Sequence, residues 1–374
     1  MKKKLLSVLL CMAMTATLFA GCGQNGGADA NADANVSADA NTNEDAAGGN
    51  ETTGYKFEIV SKGFQHQYWQ AVLKGSQNKA AELGAKINFV GPDSESDIAG
   101  QVQMLQSAIN AQPDAIGLAA LDTKACLDAI VTAQEAGIPI VGFDSGVPGA
   151  PEGAIVANAA TDNYAAGVLA AEETYKLIEA KLAAGVRIGV MGQDATAESI
   201  INRGLGFIDK MAELVTAKGL TVTVEGNDKY VADCAVTPVD GADVVIEVLV
   251  PSEVKNELSI TDGSTLLNKA DTICIYGSNQ FSAENLVSAD ENIGRLGVDV
   301  VGVGFDSGAT LKAAVASGKL AGAITQAPVA MGEKLVELLY TATTGGSVAD
   351  VDTGCQWYTA DNMNNEEIAQ NLYD

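Results

Sequence analysis

The sequence predicts an α/β protein of two doubly wound lobes, each built on a parallel β-sheet. From residue 55 onward, short runs rich in apolar and β-branched residues alternate with longer segments of helical apolar spacing. The alternation forms two successive series that meet near Thr161. The chain holds 40 glycines but only 5% aromatic residues, a composition that suits many strand-to-helix turns. Such alternation is typical of right-handed βαβ units with parallel strands.

The first series begins with an apolar strand directly after Tyr55. Its predicted strands are 56–61, 86–90, 115–119 and 138–143, and its predicted helices are 68–83, 98–109 and 123–136. Asp122 directly precedes the third helix and is predicted to cap it. Gly137 and Pro139 end this helix and begin the next strand.

The second series repeats the pattern after Thr161. Its predicted helices are 164–184 and 197–215, and its predicted strands are 187–191, 220–224, 272–276, 298–303 and 320–325. The stretch 231–261 has apolar runs without a clear period, so no element is assigned there.

Composition excludes several classes of function. Acidic residues number 48 against 22 basic ones, a formal net charge of -26, and no basic cluster follows the first few residues, which argues against a nucleic-acid partner. His66 is the sole histidine, which argues against histidine-rich metal sites and histidine-based catalysis. No GxGxxG follows the first strand, and neither GxxxxGK[ST] nor GxSxG occurs. We therefore expect no metal, no cofactor and no enzymatic activity.

The N-terminus carries the features of an export signal. Three lysines precede the apolar stretch 5–19, which is shorter than the roughly 20 residues of a membrane span. The stretch ends in Leu-Phe-Ala-Gly-Cys at 18–22, which resembles a bacterial lipoprotein signal. The resemblance implies that 1–21 is removed and that Cys22 is lipidated, which would anchor the protein on the extracytoplasmic face of the cell membrane. The alternative is an ordinary secretory signal with a chance cysteine.

Residues 22–54 are predicted to be a disordered, acidic linker. Ala-Asp-Ala-Asn recurs at 28–31, 32–35 and 38–41, and the segment has too little apolar surface to offset its ordering entropy.

Four cysteines lie in the region of strands and helices, at Cys126, Cys234, Cys274 and Cys355. Four cysteines allow three pairings, which the sequence does not distinguish, and no CxxC spacing occurs. Cys274 lies in an apolar run and is interpreted as a packed thiol. We expect no disulfide to be essential for the fold.

The candidate ligand-binding residues follow from the strand ends. Ligands of doubly wound sheets bind beyond the carboxyl ends of the strands. The polar residues at the predicted strand ends are Ser61, Lys62, Asp122, Asp144, Ser145, Ser278, Asn279, Asp306 and Gln326. Tyr68 and Trp69 begin the first helix and point about 100° apart, so we expect that they are not both core residues.

Several stretches, in order, carry a resemblance to a known family. They are Val60-Ser61 with Tyr68-Trp69, GIPIVGFDS at 137–145, ATDNYAAG at 160–167, RGLGF at 203–207, VGFD at 303–306, and 318–320 with TQAP at 325–328. The set resembles the type I periplasmic sugar-binding proteins, the ribose, galactose and autoinducer-2 group of ABC-transporter receptors. The resemblance implies two lobes joined by three chain crossings, with the ligand between them. Lobe one would comprise 55–161 plus 327–355, and lobe two 162–326 plus 356–374.

The resemblance also implies a set of ligand-binding residues. They are Ser61, Lys62, His66, Tyr68, Trp69, Asp144, Ser145, Arg203, Ser278, Asn279, Asp306 and Gln326. Aromatic faces would stack on the C–H faces of a sugar, while carboxylates and amides would bind its hydroxyls. Purely structural alternatives are helix capping for the two aspartates, a hinge role for Gln326, and a surface or capping role for His66.

Departures from the family pattern bear on the ligand. Ribose receptors carry arginines where this chain has Ser145 and Ile201, and an asparagine where it has Ala119 or Ala120. The loss of two cationic donors argues against a ribose-like site. Lys62 is a candidate replacement, because the autoinducer-2 branch has a lysine after the first strand.

The leading hypothesis is a monomeric, lipid-anchored receptor that delivers a sugar or polyol to the permease and ATPase of an ABC importer. The alternative is a receptor that reports a ligand, such as a quorum-type small molecule, to a membrane signalling kinase. An extracellular enzyme would need a nucleophile–base pair, which the sequence does not display. A LacI-like repressor is excluded, since an export signal stands where DNA-binding helices would be.

Overall fold

A computed structural model describes residues 54–63 and 66–374. The predicted lipoprotein signal, Cys22 and the predicted linker up to residue 53 lie outside the described residues. No helix of the described part is both long enough and apolar enough to cross a membrane.

Strands and helices alternate along the described chain. The strands are β1 (Lys56–Val60), β2 (Lys86–Val90), β3 (Ala115–Leu118), β4 (Ile140–Phe143), β5 (Ile155–Ala160), β6 (Val186–Met191), β7 (Val222–Gly226), β8 (Val244–Leu249), β9 (Thr272–Gly277), β10 (Val301–Phe305), β11 (Gly322–Gln326), β12 (Val351–Asp352) and β13 (Cys355–Tyr358). The helices are α1 (Gln67–Leu83), α2 (Ile98–Asn110), α3 (Leu127–Glu135), α4 (Asn163–Ile178), α5 (Glu198–Ala217), α6 (Asp228–Asp233), α7 (Asn256–Leu267), α8 (Gln280–Ala289), α9 (Ala309–Ala316), α10 (Pro328–Thr343) and α11 (Glu366–Ala369).

The strands form two sheets, which define the two lobes. The sheet of the first lobe has the order β12-β5-β4-β3-β1-β2, with parallel neighbours throughout. The sheet of the second lobe has the order β13-β11-β10-β9-β6-β8-β7, and only the edge strand β13 is antiparallel among its described strands. Each sheet starts from an interior strand and grows in both directions, so each has a topological switch point, at β1/β3 and at β6/β9.

The chain passes between the two sheets three times. It leaves the first sheet after β5, returns to it after β11 through α10, and leaves again between β12 and β13. Cys355 already pairs with Gln326 in the second sheet.

Helix pairs in each lobe pack through glycine. A side chain at Gly75 of α1 would place its Cβ 1.9 Å from the carbonyl oxygen of Val329 in α10. A side chain at Gly167 of α4 would place its Cβ 2.2 Å from the carbonyl oxygen of Arg203 in α5. Because only glycine permits such backbone approach, α10 is held against α1, and α5 against α4.

Most predicted elements are present, and the differences have local causes. The predicted helix 123–136 begins only at Leu127, because the Asp122 carboxylate accepts the backbone N–H groups of Lys124 and Ala125 in a preceding turn. The prediction that Asp122 caps this helix is therefore wrong. The helix predicted to reach residue 184 ends at Ile178, where a 3₁₀ turn follows.

Some elements carry no clear signal in the sequence, and others begin at a different residue than predicted. The strand β5 has β-branched residues only at its first two positions, followed by three alanines and an asparagine, so its sequence gave little strand signal. The unassigned stretch 231–261 contains the end of α6, all of β8 and the start of α7. The strand β10 begins at Val301 instead of residue 298, and β11 begins at Gly322 instead of residue 320.

Candidate functional site

A small cavity lies between the lobes, where the carboxyl ends of both sheets face each other. Its volume is about 30 Å³, close to the share of one water molecule in the liquid. The lining residues are Lys62, His66, Tyr68, Trp69, Glu95, Asp144, Ile200, Arg203, Asn279, Gln280, Asp306 and Gln326. Nine of the twelve residues proposed from the sequence are among them.

Asp144 and Asp306 are the central acidic groups of the cavity, one from each lobe. Each directly follows a buried strand and has a positive φ, 56° at Asp144 and 73° at Asp306. Aspartate tolerates this left-handed conformation better than most residues. Both belong to a Gly-Phe-Asp-Ser-Gly pentapeptide that occurs twice in the sequence.

The Asp144 carboxylate is paired with groups of its own lobe. It lies 2.9 Å from the Lys62 ammonium and accepts a hydrogen bond of 2.8 Å from the Tyr68 hydroxyl. Burial would lower the pKa of Lys62, but the carboxylates of Asp144, Glu95 and Asp194 raise it above its ordinary value, so the amine stays charged. Burial and Asp144 raise the pKa of the Tyr68 phenol well above 10.0, so the phenol remains a donor.

The Asp306 carboxylate receives mainly neutral donors. It accepts the side-chain amide of Gln326 at 2.7 Å and the backbone N–H of Gln280, the first residue of α8, at 3.1 Å. Burial raises the pKa of this carboxyl, while Arg203 and the two hydrogen bonds oppose the increase. Asp306 therefore lines the cavity and also accepts a backbone N–H at the N-terminus of α8 that has no partner within the helix.

Arg203 lies between the two aspartates. Its guanidinium is 4.0 Å from Asp144 and 3.8 Å from Asp306, and it stacks at 4.1 Å over the ring of Phe305. Its Nε donates to Asn163 at 2.7 Å. Burial would lower the pKa of Arg203, but Asp306 and Asp144 raise it. A fixed cation thus links an acidic group of each lobe.

Tyr68 and Trp69 both face the cavity and are both buried, with 5% and 2% of their surface exposed. Their rings meet edge to face, with centroids 5.0 Å apart. The expectation that they are not both core residues is wrong, because both belong to the hydrophobic core of the first lobe. The first turn of α1 lies between the lobes, so side chains that diverge around the helix are covered from two sides.

His66 lies at the N-cap of α1, but its side chain makes no capping hydrogen bond. Its Nε2 is 3.8 Å from the Glu95 carboxylate, and its ring meets the edge of Phe281 in the second lobe. The imidazole is therefore mostly covered, at 13% exposed, and lines the cavity.

Three of the proposed ligand residues are buried but do not line the cavity. The Ser61 hydroxyl donates to the backbone oxygens of Gly63 and Val90. The Ser145 hydroxyl accepts the backbone N–H of Ser199 from the second lobe at 3.2 Å. The Ser278 hydroxyl is buried and makes no hydrogen bond among the described residues.

Glu95, Ile200 and Gln280 line the cavity but were missed from the sequence. Glu95 lies in the loop after β2, and Ile200 and Gln280 lie in the first turns of α5 and α8. Both loops follow the carboxyl end of a strand: Glu95 lies after β2, and Ile200 follows the loop after β6. The expectation that ligands bind beyond strand ends therefore predicts both loops as part of the site.

The cavity is small because side chains of the two lobes bind each other directly. The Lys62 ammonium donates to the Ser199 hydroxyl at 3.1 Å, and the Gln280 amide donates to Gln67 at 2.6 Å. The backbone N–H of Gly146 donates to the Glu198 carboxylate at 3.3 Å. The lobes are therefore closed on each other through their own polar groups.

The described residues hold no metal-binding cluster, and their cysteines are free. Among residues 54–63 and 66–374, no group of three or more His, Cys, Asp or Glu side chains is placed to hold a metal ion. The four described cysteines are free thiols. Burial raises the pKa of Cys126 to about 11 and of Cys274 to about 12, so both remain protonated at neutral pH.

Two parallel-sheet lobes that exchange the chain three times and close on a polar cavity define a type I periplasmic binding protein fold. Residues 57–347 match the family model described as a periplasmic binding protein domain, and the chain belongs to this family.

Several known proteins are similar to the chain. A solved structure named ABC transporter, LacI family transcriptional regulator, from Brachyspira murdochii, is 32% identical, with a TM-score of 0.72 over 86% of this chain and 99% of that one. An ABC transporter solute-binding protein from Agrobacterium vitis with bound D-fucose is 30% identical, with a TM-score of 0.71 over 85% of this chain and all of that one. The ribose import binding protein of Bacillus subtilis is 25% identical over 277 residues, 72% of this chain and 75% of that protein.

Proposed function

We propose that the protein is a non-enzymatic receptor that binds a neutral sugar or polyol between its lobes and delivers it to an ABC permease and its ATPase. The observation that carries the proposal is the pair Asp144 and Asp306, which face one cavity from opposite lobes. A carboxylate can accept two sugar hydroxyls at once, so each lobe would hold one side of the ligand. A relative named for ribose import and a similar solute-binding protein with bound D-fucose support this class of ligand.

The remaining lining residues suit the same ligand. The faces of Tyr68 and Trp69 offer stacking surfaces for C–H groups, and Lys62, Arg203 and Asn279 offer donors for ring or hydroxyl oxygens. We assign these residues, with His66, Asp144, Asp306 and Gln326, to the ligand site. Ser61, Ser145 and Ser278 are buried beside the cavity and would stabilise the site without contacting the ligand.

Ligand entry requires the lobes to separate. A ligand pocket is usually about 300–1,000 Å³, whereas this cavity holds about 30 Å³. We propose hinge motion at the three crossings, between a lobe of 55–161 plus 327–354 and a lobe of 162–326 plus 355–374, since Cys355 already pairs in the second sheet. Polar side chains that now bind each other across the cavity would then bind the ligand instead.

We further propose that Cys22 is lipidated and holds the protein on the extracytoplasmic face of the membrane, since Leu-Phe-Ala-Gly-Cys at 18–22 has the pattern of a lipoprotein signal. Membrane fractionation of Cys22→Ala tests this anchoring. We expect the variant in the soluble fraction, and its recovery with the membranes would contradict the lipid anchor.

A thermal-shift screen of the purified domain tests the ligand class. The set comprises D-ribose, D-allose, D-fucose, D-arabinose, polyols, nucleosides and amino acids. A ligand at a hundred times its dissociation constant stabilises the native state by about 2.7 kcal/mol, which raises the melting temperature by a few degrees. We expect at least one neutral sugar or polyol to do so. A shift with nucleosides or amino acids alone would refute the sugar assignment but leave a receptor.

A further inference from the structure

Glu95 carries a buried carboxylate that receives one donor from each lobe. It is 6% exposed and lies in the loop between β2 and α2. One of its oxygens accepts the indole N–H of Trp69 at 2.8 Å, within the first lobe. The other accepts the side-chain amide of Gln193 at 2.9 Å, from the loop after β6 in the second lobe. A single carboxylate thus joins an aromatic residue of the cavity to the opposite lobe.

The connection continues into a helix of the second lobe. The side-chain oxygen of Gln193 accepts the amide of Asn279 at 2.7 Å. The other end of the Asn279 side chain accepts the backbone N–H and the hydroxyl of Ser282, in the capping box of α8. This capping box fixes which end of the Asn279 amide faces Gln193. Hydrogen bonds therefore run without interruption from the ring of Trp69 to the first turn of α8.

The closed arrangement places strict demands on these groups. A buried carboxylate is tolerated only when its oxygens receive donors. The nearest basic group, Nε2 of His66, is 3.8 Å from Glu95, beyond hydrogen-bond distance. In the proposed open state, Gln193 would move away with the second lobe and water would take its place. When they close, the indole N–H must point at Glu95, so closure and the orientation of the Trp69 ring favour each other.

We propose that Glu95 is a positioning residue that couples the orientation of Trp69 to the closure of the lobes. A ligand that stacks on the ring in this orientation would favour closure, and closure would hold the ring in place for the ligand. The ligand half of this statement rests on the function proposed above. The coupling rests on the proposed hinge motion and on the hydrogen bonds of Glu95 and Gln193.

Fluorescence of Trp69 provides the test, because the chain has only two tryptophans and Trp357→Phe leaves Trp69 as the single reporter. In that background, E95Q replaces the carboxylate that accepts from Trp69 and Gln193 with an amide, which has only one oxygen to accept with. Q193E places a second carboxylate directly against Glu95. Each change should lower the closed-to-open ratio about tenfold. We expect stronger acrylamide quenching of Trp69 and emission shifted to longer wavelength in both variants.

The double variant E95Q/Q193E provides the decisive control. In this variant the amide oxygen of residue 95 can accept the indole N–H of Trp69, and its NH₂ group can donate to the carboxylate of residue 193. The second carboxylate oxygen of residue 193 can still accept the amide of Asn279. Protection of Trp69 should therefore return in the double variant. E135Q, a change at an exposed glutamate of α3, should leave the quenching unchanged.

Two results would overturn the coupling: single variants quenched like the parent, or a double variant no better protected than the single ones. Circular dichroism establishes that each variant folds, and if E95Q does not fold, Q193E alone provides the comparison with the parent. All readouts are taken without sugar. A thermal screen in which no sugar binds would thus reject the proposed ligand class without deciding the coupling.

Discussion

The two copies of Gly-Phe-Asp-Ser-Gly, at 142–146 and 304–308, allow the same five residues to be compared in the two lobes. Both copies end a buried strand, and both turn the chain at an aspartate with positive φ. Their surroundings differ. Asp144 pairs with the cation of Lys62, whereas Asp306 accepts neutral groups and has Arg203 at 3.8 Å. Local sequence thus sets the backbone, and the neighbouring elements set the electrostatic character of the carboxylate.

The neighbouring residues of the pentapeptides diverge in the same way. The ring of Phe143 meets the edge of Trp69, whereas the ring of Phe305 supports the guanidinium of Arg203. The Ser145 hydroxyl accepts a backbone N–H from the other lobe, whereas the Ser307 hydroxyl accepts the backbone N–H of Tyr373 near the C-terminus. One copy therefore contributes to lobe closure, and the other holds the end of the chain.

The largest expected effect is a difference in stability between the alanine variants of the two aspartates. D144A leaves the ammonium of Lys62 buried without its closest partner, which should lower the free energy of unfolding by about 3–5 kcal/mol. D306A leaves the Gln326 amide and the Gln280 N–H unpaired, while Arg203 keeps Asp144 at 4.0 Å, so the loss should be about 1–3 kcal/mol. Urea unfolding measures both values, with D240A at an exposed aspartate as control. Equal losses in the two variants would contradict the distinction, and sugar binding retained in both would remove them from the ligand site.

A double-mutant cycle tests the cause of the larger effect. K62M and D144N each remove one member of the buried pair, whereas K62M/D144N removes both. We expect the double variant to be more stable than the sum of the single losses predicts, by about 1–3 kcal/mol. Strict additivity in urea unfolding would mean that the 2.9 Å contact between Lys62 and Asp144 contributes nothing beyond burial.

The pH dependence of stability tests the other carboxylate. Burial raises the pKa of Asp306 above its usual 3.8, so the folded state binds this proton more tightly than the unfolded state does. The contribution of Asp306 to stability should therefore decrease as the pH rises from about 3.8 through the raised pKa. D306N has no such proton, so its stability relative to the parent should improve over the same interval. Unfolding of the two proteins at a series of pH values measures the difference, and a constant difference would contradict it.

The smallest expected effects concern the two serines. Each hydroxyl accepts one backbone N–H, so S145A should lower the free energy of lobe closure and S307A the free energy of unfolding, each by about 0.5–1.5 kcal/mol. S145A should weaken binding of a sugar found in the thermal screen and leave the melting temperature nearly unchanged, because its bond joins the lobes. S307A should lower the melting temperature instead. The reverse pattern would show that the two pentapeptides have exchanged the roles assigned here.

Much of the fold could be predicted because its signals are local. The strands β1 and β2 and the helix α2 were predicted within one or two residues, since their apolar spacing is regular and turn residues flank them. Local signals failed at β5, whose small residues do not favour a strand by themselves. That strand exists because β4 and β12 hydrogen-bond to its two edges.

The candidate site divides in the same way between local and distant information. The sequence by itself determined that Asp144 and Asp306 end strands and that Tyr68 and Trp69 begin a helix, because strand and helix boundaries depend on neighbouring residues. Only the tertiary structure decided that Glu95 lies against Trp69 and Gln193, residues 26 and 98 positions away. It also decided that Lys62 pairs with Asp144, whereas Asp306 receives mainly neutral donors. Such contacts depend on how the two sheets and their loops meet across the cleft. The spacing of residues along the chain does not determine the distance between two loops in different lobes.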